Sequence, residues 1–262
     1  MRCAAVIFDW AGTMVDFGSC APVLAMRRAF AAEGVDVADA DVRAGMGLAK
    51  RDHVVFMLST ARVADAWRAA KDKAHSDADV DRIFAALEPL MRDAGAERTA
   101  LVPGALQTVD ALKARGVRIG STTGYTRPMM GPILEGAAAQ GYRPEIVVCA
   151  GETKTGRPSP LMIWKALSEI DVWPASAVVK VDDAPVGIAE GKNAGCFTIG
   201  VAASGNALGL DLAEFQALSE TARQTLLTAA RVSLAAAGAD LVIDSVADLP
   251  VALASRGLIG AA

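Results

Sequence analysis

The sequence has few of the residues that build metal clusters, disulfide frameworks or nucleic-acid surfaces. Its 262 residues include four cysteines and two histidines, and no two cysteines form a Cys-x-x-Cys pair. This is too little for a typical zinc cluster or a disulfide framework, so the thiols are expected to stay reduced. Lysine and arginine form no block, and the formal net charge is −4. Because binding to a phosphate backbone needs clustered positive charge, we expect no nucleic-acid partner.

Long apolar runs are also lacking. No uninterrupted apolar stretch is long enough to span a bilayer. The apolar run at the N-terminus is interrupted by Asp9, which does not fit a signal peptide. We therefore expect no membrane contact and a cytoplasmic location. Since 53% of the residues are hydrophobic, the chain can bury a substantial core.

Two patterns divide the chain. An apolar strand ends at Asp9, and in the C-terminal two thirds short apolar strands alternate with helical segments. Between these parts, residues 19–98 have almost no strand pattern and are expected to form several helices, the last kinked or ended by Pro89. Alternating strands and helices indicate a parallel sheet with right-handed crossovers. We predict a doubly wound α/β, Rossmann-like core domain of residues 1–18 and 99–262, with residues 19–98 inserted after the first strand as a helical cap domain.

Polar residues follow four of the predicted strands, where ligands of open α/β sheets bind. They are a carboxylate, a hydroxyl, a cation and a second carboxylate: Asp9, Thr123, Arg157 and Asp183. Each alone has an ordinary explanation as a helix cap, a turn residue or a surface charge, but four in order at strand ends favour a phosphoryl-transfer site. Asp9 can attack phosphorus, and Asp9 with Asp183 can share a hard cation such as Mg²⁺. Thr123 and Arg157 can hold the phosphate oxygens that do not react.

These residues lie in recognisable motifs. The motifs are Asp9-x-x-Gly-Thr, Ser121-Thr122-Thr123-Gly124, Arg157-Pro158-x-Pro160 and Asp182-Asp183. Together they resemble the four successive motifs of the haloacid dehalogenase superfamily. Further segments, among them Met46-Gly47-Leu48-Ala49-Lys50 and Ser204-Gly205-Asn206-Ala207-Leu208-Gly209, resemble the phosphonoacetaldehyde hydrolase (phosphonatase) family. The resemblance implies hydrolysis of the carbon–phosphorus bond of phosphonoacetaldehyde to acetaldehyde and phosphate, in 2-aminoethylphosphonate degradation.

Two residues give this resemblance a physical basis. Most phosphatases of the superfamily carry an acid two residues after the nucleophile, where this chain has Ala11, which cannot donate a proton. Met46, Lys50 and His53 are spaced to share one helix face. A solvated surface lysine is the ordinary alternative at Lys50. An iminium formed by Lys50 with an aldehyde would instead accept the electrons of the breaking carbon–phosphorus bond, so no acid would be needed at Ala11.

The resemblance also implies individual roles. Asp9 becomes an aspartyl-phosphate that water hydrolyses, Lys50 forms the imine, and His53 relays protons. Met46 and Tyr125 shape the aldehyde pocket, and Gly124 is a further substrate-binding residue. The ligands of Mg²⁺ are the carboxylates of Asp9 and Asp183 and the backbone carbonyl of Ala11. Members of the family are homodimers that associate through the cap.

Some alternatives stay open. Many relatives carry a carboxylate where this chain has Gly187, and Asp182 could compensate for it. Lys154 competes with Arg157 for the phosphate. The competing functions are a Mg²⁺-dependent phosphatase or phosphomutase acting on small phosphoesters, a halide-releasing enzyme, and a phosphate-binding module without turnover.

Overall fold

A single parallel sheet forms the centre of the computed structural model, which describes residues 2–260. Its six strands are β1 (Ala5–Phe8), β2 (Arg118–Thr123), β3 (Ile146–Cys149), β4 (Val178–Asp182), β5 (Phe197–Val201) and β6 (Leu241–Ile243). They are ordered β3-β2-β1-β4-β5-β6, and every neighbouring pair is parallel. The predicted α/β class with a parallel sheet is confirmed. The apolar segment 241–243, which interrupts the helical tail of the sequence, forms the edge strand β6.

Helices cover the sheet and fill the segment after β1. Five lie between β1 and β2: α1 (Cys20–Ala32), α2 (Asp39–Arg43), α3 (Lys50–Ser59), α4 (Ala61–Lys71) and α5 (Asp77–Glu97). Residues 19–98 are called the helical insert below. The later helices are α6 (Ala105–Lys113), α7 (Arg127–Ala139), α8 (Leu161–Glu169), α9 (Pro185–Ala194), α10 (Leu212–Ala217), α11 (Glu220–Ala236) and α12 (Leu249–Ser255). Within residues 2–260, no helix has both the length and the apolar character needed to cross a bilayer.

The last helix of the insert does not end at Pro89, so that part of the expectation is wrong. Helix α5 continues through Pro89 to Glu97. Leu87 and Met91 on either side of the proline are fully buried, while Pro89 itself is exposed. The helix therefore stays anchored on its apolar face, where packing outweighs the missing backbone N–H.

Strand β1 lies at the middle of the sheet, and its four residues are all buried. Val6 and Phe8 belong to the apolar cluster on one face of the sheet, and Ala5 and Ile7 to the cluster on the other. This explains why the strand is a continuous apolar run. The chain adds β2 and β3 on one side of β1 and β4 to β6 on the other, so the strand order reverses between β1 and β4. Ligands of doubly wound sheets bind beyond the carboxyl ends of strands at such a reversal.

Candidate active site

The carboxyl ends of β1, β2 and β4 bring polar side chains from distant parts of the chain together. Phe8 pairs with Ser121 of β2 and with Val181 of β4, so the next residue, Asp9, is level with Thr122 and Asp182. The Asp9 backbone N–H donates to the Val181 carbonyl at 3.0 Å. All three polar side chains are buried. The carboxylate that ends the first strand therefore lies at the sheet position where a ligand is expected.

Arg157, in the loop after β3, is the cation beside this carboxylate. Its Nη1 donates to Asp9 Oδ1 at 2.8 Å, and its Nη2 donates to the Thr122 carbonyl at 2.7 Å. Lys154, the alternative cation, is exposed. Burial raises the pKa of Asp9 to about 6, the charge of Asp182 acts in the same direction, and Arg157 opposes both. An arginine fixed in this way can hold phosphate oxygens next to the nucleophile.

Three carboxylates form an acidic cluster at the same place. Oxygens of Asp9, Asp182 and Asp183 lie within 4.8 Å of one another. Thr13 Oγ1 donates to Asp183 Oδ1 at 3.2 Å, and the Asn206 N–H donates to Asp183 Oδ2 at 2.8 Å. Burial, together with the charges of the other two carboxylates, raises the pKa of Asp183 well above its usual value. A buried all-oxygen cluster of like charges fits a hard divalent cation, which would reverse this repulsion.

The structure explains why α9 carries glycine at Gly187. A Cβ built there would overlap the carboxylate of Asp182. Asp182 is fully buried, its Oδ1 accepts from the Ala184 N–H at 3.0 Å, and its Oδ2 lies 3.0 Å from Lys180 Nζ. Any larger residue at Gly187 would have to displace that carboxylate. The third acid of the cluster therefore comes from the end of β4, and the glycine on α9 gives it room.

A buried ionic network behind Asp9 was not anticipated from the sequence. Lys180 Nζ lies 3.4 Å from Glu190 Oε2 and donates to Thr122 Oγ1 at 3.0 Å. Arg157 Nε lies 2.8 Å from the same Glu190 oxygen. Lys180 and Glu190 are both completely buried. The network holds Arg157 from the side opposite Asp9 and so supports the cation that contacts Asp9. The one feature of the sequence that indicates this network is Lys180, a lysine inside an otherwise apolar strand.

The helical insert contributes Lys50, the first residue of α3. Although lysine is rarely buried, its side chain is only 1% exposed. Burial lowers the pKa of Lys50 from 10.5 to about 8, partly offset by the nearby Asp9 carboxylate, and Arg157 adds to the decrease. Its Nζ lies 4.8 Å from the centre of the Tyr125 ring. A buried amine with this lowered pKa is unprotonated more often than a solvated lysine and can act as a nucleophile.

His53 lies one turn further along α3, whereas Met46 lies in the turn before this helix, so the expectation that all three residues share one helix face is wrong for Met46. Its Nε2 is 2.7 Å from the Val42 carbonyl, which can only accept a hydrogen bond, so Nε2 carries the proton. Within residues 2–260, the buried Nδ1 has no hydrogen-bond partner. Burial, together with the Lys50 charge, lowers the pKa of His53 to about 3. The ring is therefore neutral at physiological pH, and its Nδ1 carries no proton.

These side chains from the two parts of the chain enclose one small cavity. Its volume is about 20 Å³, and its lining includes Asp9, Ala11, Met46, Lys50, Thr123, Gly124, Tyr125, Arg157 and Asp183. Among the residues predicted for the site, only His53 is not part of the lining. A Cβ at Gly124 would lie 2.5 Å from the Leu48 carbonyl oxygen, so this glycine lets the insert approach the core closely. The cavity has room for about one water molecule.

Comparison with known proteins places the chain among hydrolases. The family model "haloacid dehalogenase-like hydrolase" matches residues 3–195. A phosphonoacetaldehyde hydrolase of Paraburkholderia xenovorans is 46% identical over 94% of this chain and 92% of its own length. Another, from Hahella chejuensis, is 42% identical over 95% of this chain and 85% of its own length.

Solved structures give the same picture. A phosphonoacetaldehyde hydrolase like protein from Oleispira antarctica has a TM-score of 0.96 at 41% identity and covers 98% of this chain and 96% of its own. CbbY from Rhodobacter sphaeroides shares the fold, with a TM-score of 0.65 at 20% identity over 95% of this chain and 96% of its own. The high TM-score and identity of the first structure extend over the core and the helical insert alike.

Proposed function

The chain belongs to the phosphonoacetaldehyde hydrolase family of the haloacid dehalogenase-like hydrolases, and we propose that it hydrolyses the carbon–phosphorus bond of phosphonoacetaldehyde. The products are acetaldehyde and phosphate. The observation that carries the proposal is the position of Lys50 in the same cavity as Asp9 and Arg157. This cavity combines an amine for an aldehyde with a carboxylate and a guanidinium for a phosphonate.

In the first step we propose that the neutral amine of Lys50 attacks the aldehyde carbon, that one proton is taken up, and that water leaves, giving an iminium. The neutral ring of His53, whose unprotonated Nδ1 has no hydrogen-bond partner among the described residues, is proposed to relay protons during this dehydration. The buried position of Lys50 supports the step because it keeps a useful fraction of the amine unprotonated. Met46 and Tyr125, which line the cavity beside Lys50, bind the aldehyde end of the substrate.

In the second step a carboxylate oxygen of Asp9 attacks phosphorus. The electron pair of the carbon–phosphorus bond moves into the iminium, so the carbon fragment leaves as an enamine on Lys50. No proton is needed from the position two residues after the nucleophile, which agrees with Ala11 there. Arg157 and Thr123 line the cavity next to Asp9 and hold the phosphonate oxygens while charge redistributes.

The remaining steps regenerate both residues. The enamine takes a proton at carbon to become the acetaldehyde iminium, and one water releases acetaldehyde from Lys50. A second water hydrolyses the aspartyl-phosphate. One water is released and two are consumed, so the balance is one water per carbon–phosphorus bond.

We also propose a magnesium ion at the acidic cluster. The residues that would hold it are Asp9 and Asp183 through their carboxylates and Ala11 through its carbonyl; the oxygen donors and the raised pKa of Asp183 support this choice. When bound, it supplies positive charge that neutralises the phosphonate and the attacking carboxylate. Asp182, which lies 3.0 Å from Lys180, instead belongs to the ionic network behind the site.

The division into a core domain and a cap domain of residues 19–98 is part of the proposal. So are a homodimer formed through the cap, a cytoplasmic location and a place in 2-aminoethylphosphonate degradation. They agree with the resemblance in the sequence, and the small volume of the site cavity supports a cap that opens to admit substrate.

One assay tests the function. Purified protein is given phosphonoacetaldehyde, with and without Mg²⁺, and acetaldehyde and phosphate are measured together. A panel of small phosphoesters is tested alongside. We expect equal amounts of the two products, dependence on Mg²⁺ and little release of phosphate from the esters. Efficient phosphoester hydrolysis without cleavage of phosphonoacetaldehyde would contradict the proposal.

A further inference from the structure

We propose that Arg43 is a positioning residue. It attaches the helical insert to Asn206 and thereby holds Asp183 and His53 in their positions. The clamp, defined as the Arg43–Asn206 pair, joins α2 of the insert to the loop after β5. Its role in turnover rests on the proposed function, whereas its role in holding Asp183 does not.

The side chain of Arg43 binds several core groups at once. Its Nη1 donates to the Gly18 carbonyl at 2.9 Å and to Asn206 Oδ1 at 3.2 Å, and its Nη2 donates to the Gly209 carbonyl at 3.1 Å. In return, Asn206 Nδ2 donates to the Arg43 carbonyl at 3.0 Å. The pairing is therefore reciprocal, and it spans 163 residues of sequence.

Local geometry is adapted to the guanidinium. Gly209 has φ +66°, and a Cβ there would lie 2.6 Å from Arg43 Cζ. The three acceptors are presented to a planar group with fixed donor directions, which a lysine ammonium cannot reproduce. Removal of Arg43 would leave these acceptors without their donor at the boundary between the insert and the core.

On its core side, the clamp leads to the acidic cluster. The backbone N–H of Asn206 donates to Asp183 Oδ2 at 2.8 Å. Asn206 is buried, and its side chain binds Arg43 through both Oδ1 and Nδ2. Outer partners of this kind fix the orientation of metal-binding carboxylates. Loss of Arg43 would therefore loosen Asp183.

On its insert side, the clamp leads to His53. The carbonyl of Val42, the residue before Arg43, accepts the hydrogen bond from His53 Nε2 at 2.7 Å. Gly45 packs on the same ring, since a Cβ there would lie 2.5 Å from His53 Cδ2. The segment that fixes the imidazole is thus the segment that Arg43 attaches to the core.

The clamp also borders the space outside the active site. A cavity of about 330 Å³ is lined by Arg43, Met46, Asp183 and Asn206, and it shares Met46 and Asp183 with the small site cavity. The clamp therefore forms part of the wall of a cavity that adjoins the site.

The test uses Mn²⁺ as the probe, because its binding can be followed by electron paramagnetic resonance without turnover. We expect Arg43→Ala to weaken Mn²⁺ binding about 10-fold, within the range for outer-shell partners of metal ligands, and kcat/KM for phosphonoacetaldehyde to fall at least as much. Free guanidinium should restore part of both. Arg43→Lys should give a smaller loss of the same kind. It also tests the clamp if the alanine variant does not fold.

The matched control is Arg62→Ala. Arg62, on α4, pairs with Asp41, which lies on α2 as Arg43 does. Both residues of this pair lie in the insert, so the pair does not join the insert to the core. This control should keep Mn²⁺ affinity and kcat/KM within about two-fold, as for a surface ion pair. If the Arg43 variants bind Mn²⁺ as tightly as the parent, the clamp is refuted. If the parent does not cleave phosphonoacetaldehyde but Arg43→Ala still weakens Mn²⁺ binding, the proposed function fails and the clamp stands.

Discussion

Replacing Gly187 with alanine should destabilise the protein, although alanine is the better helix former. The added Cβ would overlap the Asp182 carboxylate, which must then leave its place 3.0 Å from Lys180 Nζ. Breaking a buried ion pair costs about 3–5 kcal/mol. The gain from replacing a helical glycine is about 0.5–1 kcal/mol. The net loss in the free energy of unfolding should be about 3 kcal/mol, which corresponds to roughly 10 °C in Tm for a chain of this size.

The measurement is urea unfolding followed by circular dichroism, with Gly131→Ala as the matched control. Gly131 also lies within a helix, α7, but no atom of the described residues comes within 4 Å of a Cβ there beyond its own helix and chain neighbours. That variant should change the free energy of unfolding by less than about 1 kcal/mol, because the gain from replacing a helical glycine is opposed by crowding of the new Cβ against Pro132. If Gly187→Ala unfolds at the same urea concentration as Gly131→Ala, the explanation of the glycine through Asp182 is incorrect.

Three further predictions concern Lys50 and Asp9. Covalent trapping of an aldehyde on Lys50 by borohydride should increase as the pH rises through about 8, because the neutral amine reacts; a midpoint near 10.5 would contradict the burial argument. Lys50→Met should raise the free energy of unfolding at pH 7 by about 3 kcal/mol, from a pKa that falls from 10.5 to about 8 at 1.36 kcal/mol per unit. Because the pKa is lowered in the folded protein, burying the charged amine destabilises the parent fully below pH 8, and this destabilisation disappears as the pH rises to 10.5. The free energies of unfolding of the two proteins should therefore converge across that pH range. Asp9→Asn should abolish phosphate release but leave trapping intact, and turnover by this variant would remove Asp9 from the nucleophile position.

Much of the fold could be predicted because its periodicity is local. Parallel strands buried on both faces are continuous apolar runs, and β1 ends just before Asp9, where the apolar pattern also ends. The site could be predicted because polar residues at strand ends must meet at one edge of a parallel sheet. Ala11 indicates the type of reaction for a similar reason, since the residue two positions after the nucleophile has a fixed place in the crevice.

The parts that could not be predicted depend on packing between distant segments. Lys180 signals a buried charge, but its partner Glu190 lies on a helix whose rotation against the sheet is set by the whole core. The pairing of Arg43 with Asn206 joins residues 163 positions apart and has no local pattern. Pro89 shows the opposite case, in which a local rule is overridden by buried neighbours on both sides.

The central claim is that Lys50 forms the covalent bond to the substrate. It is tested most directly by adding borohydride during turnover of phosphonoacetaldehyde and mapping the modified peptide by mass spectrometry. We predict a reduced adduct on Lys50 and loss of phosphate release in step with labelling. Lys154→Arg, which removes an exposed lysine, should be labelled as fully as the parent. Continued phosphate release from a protein whose Lys50 stays unmodified, or from Lys50→Arg, would contradict the account.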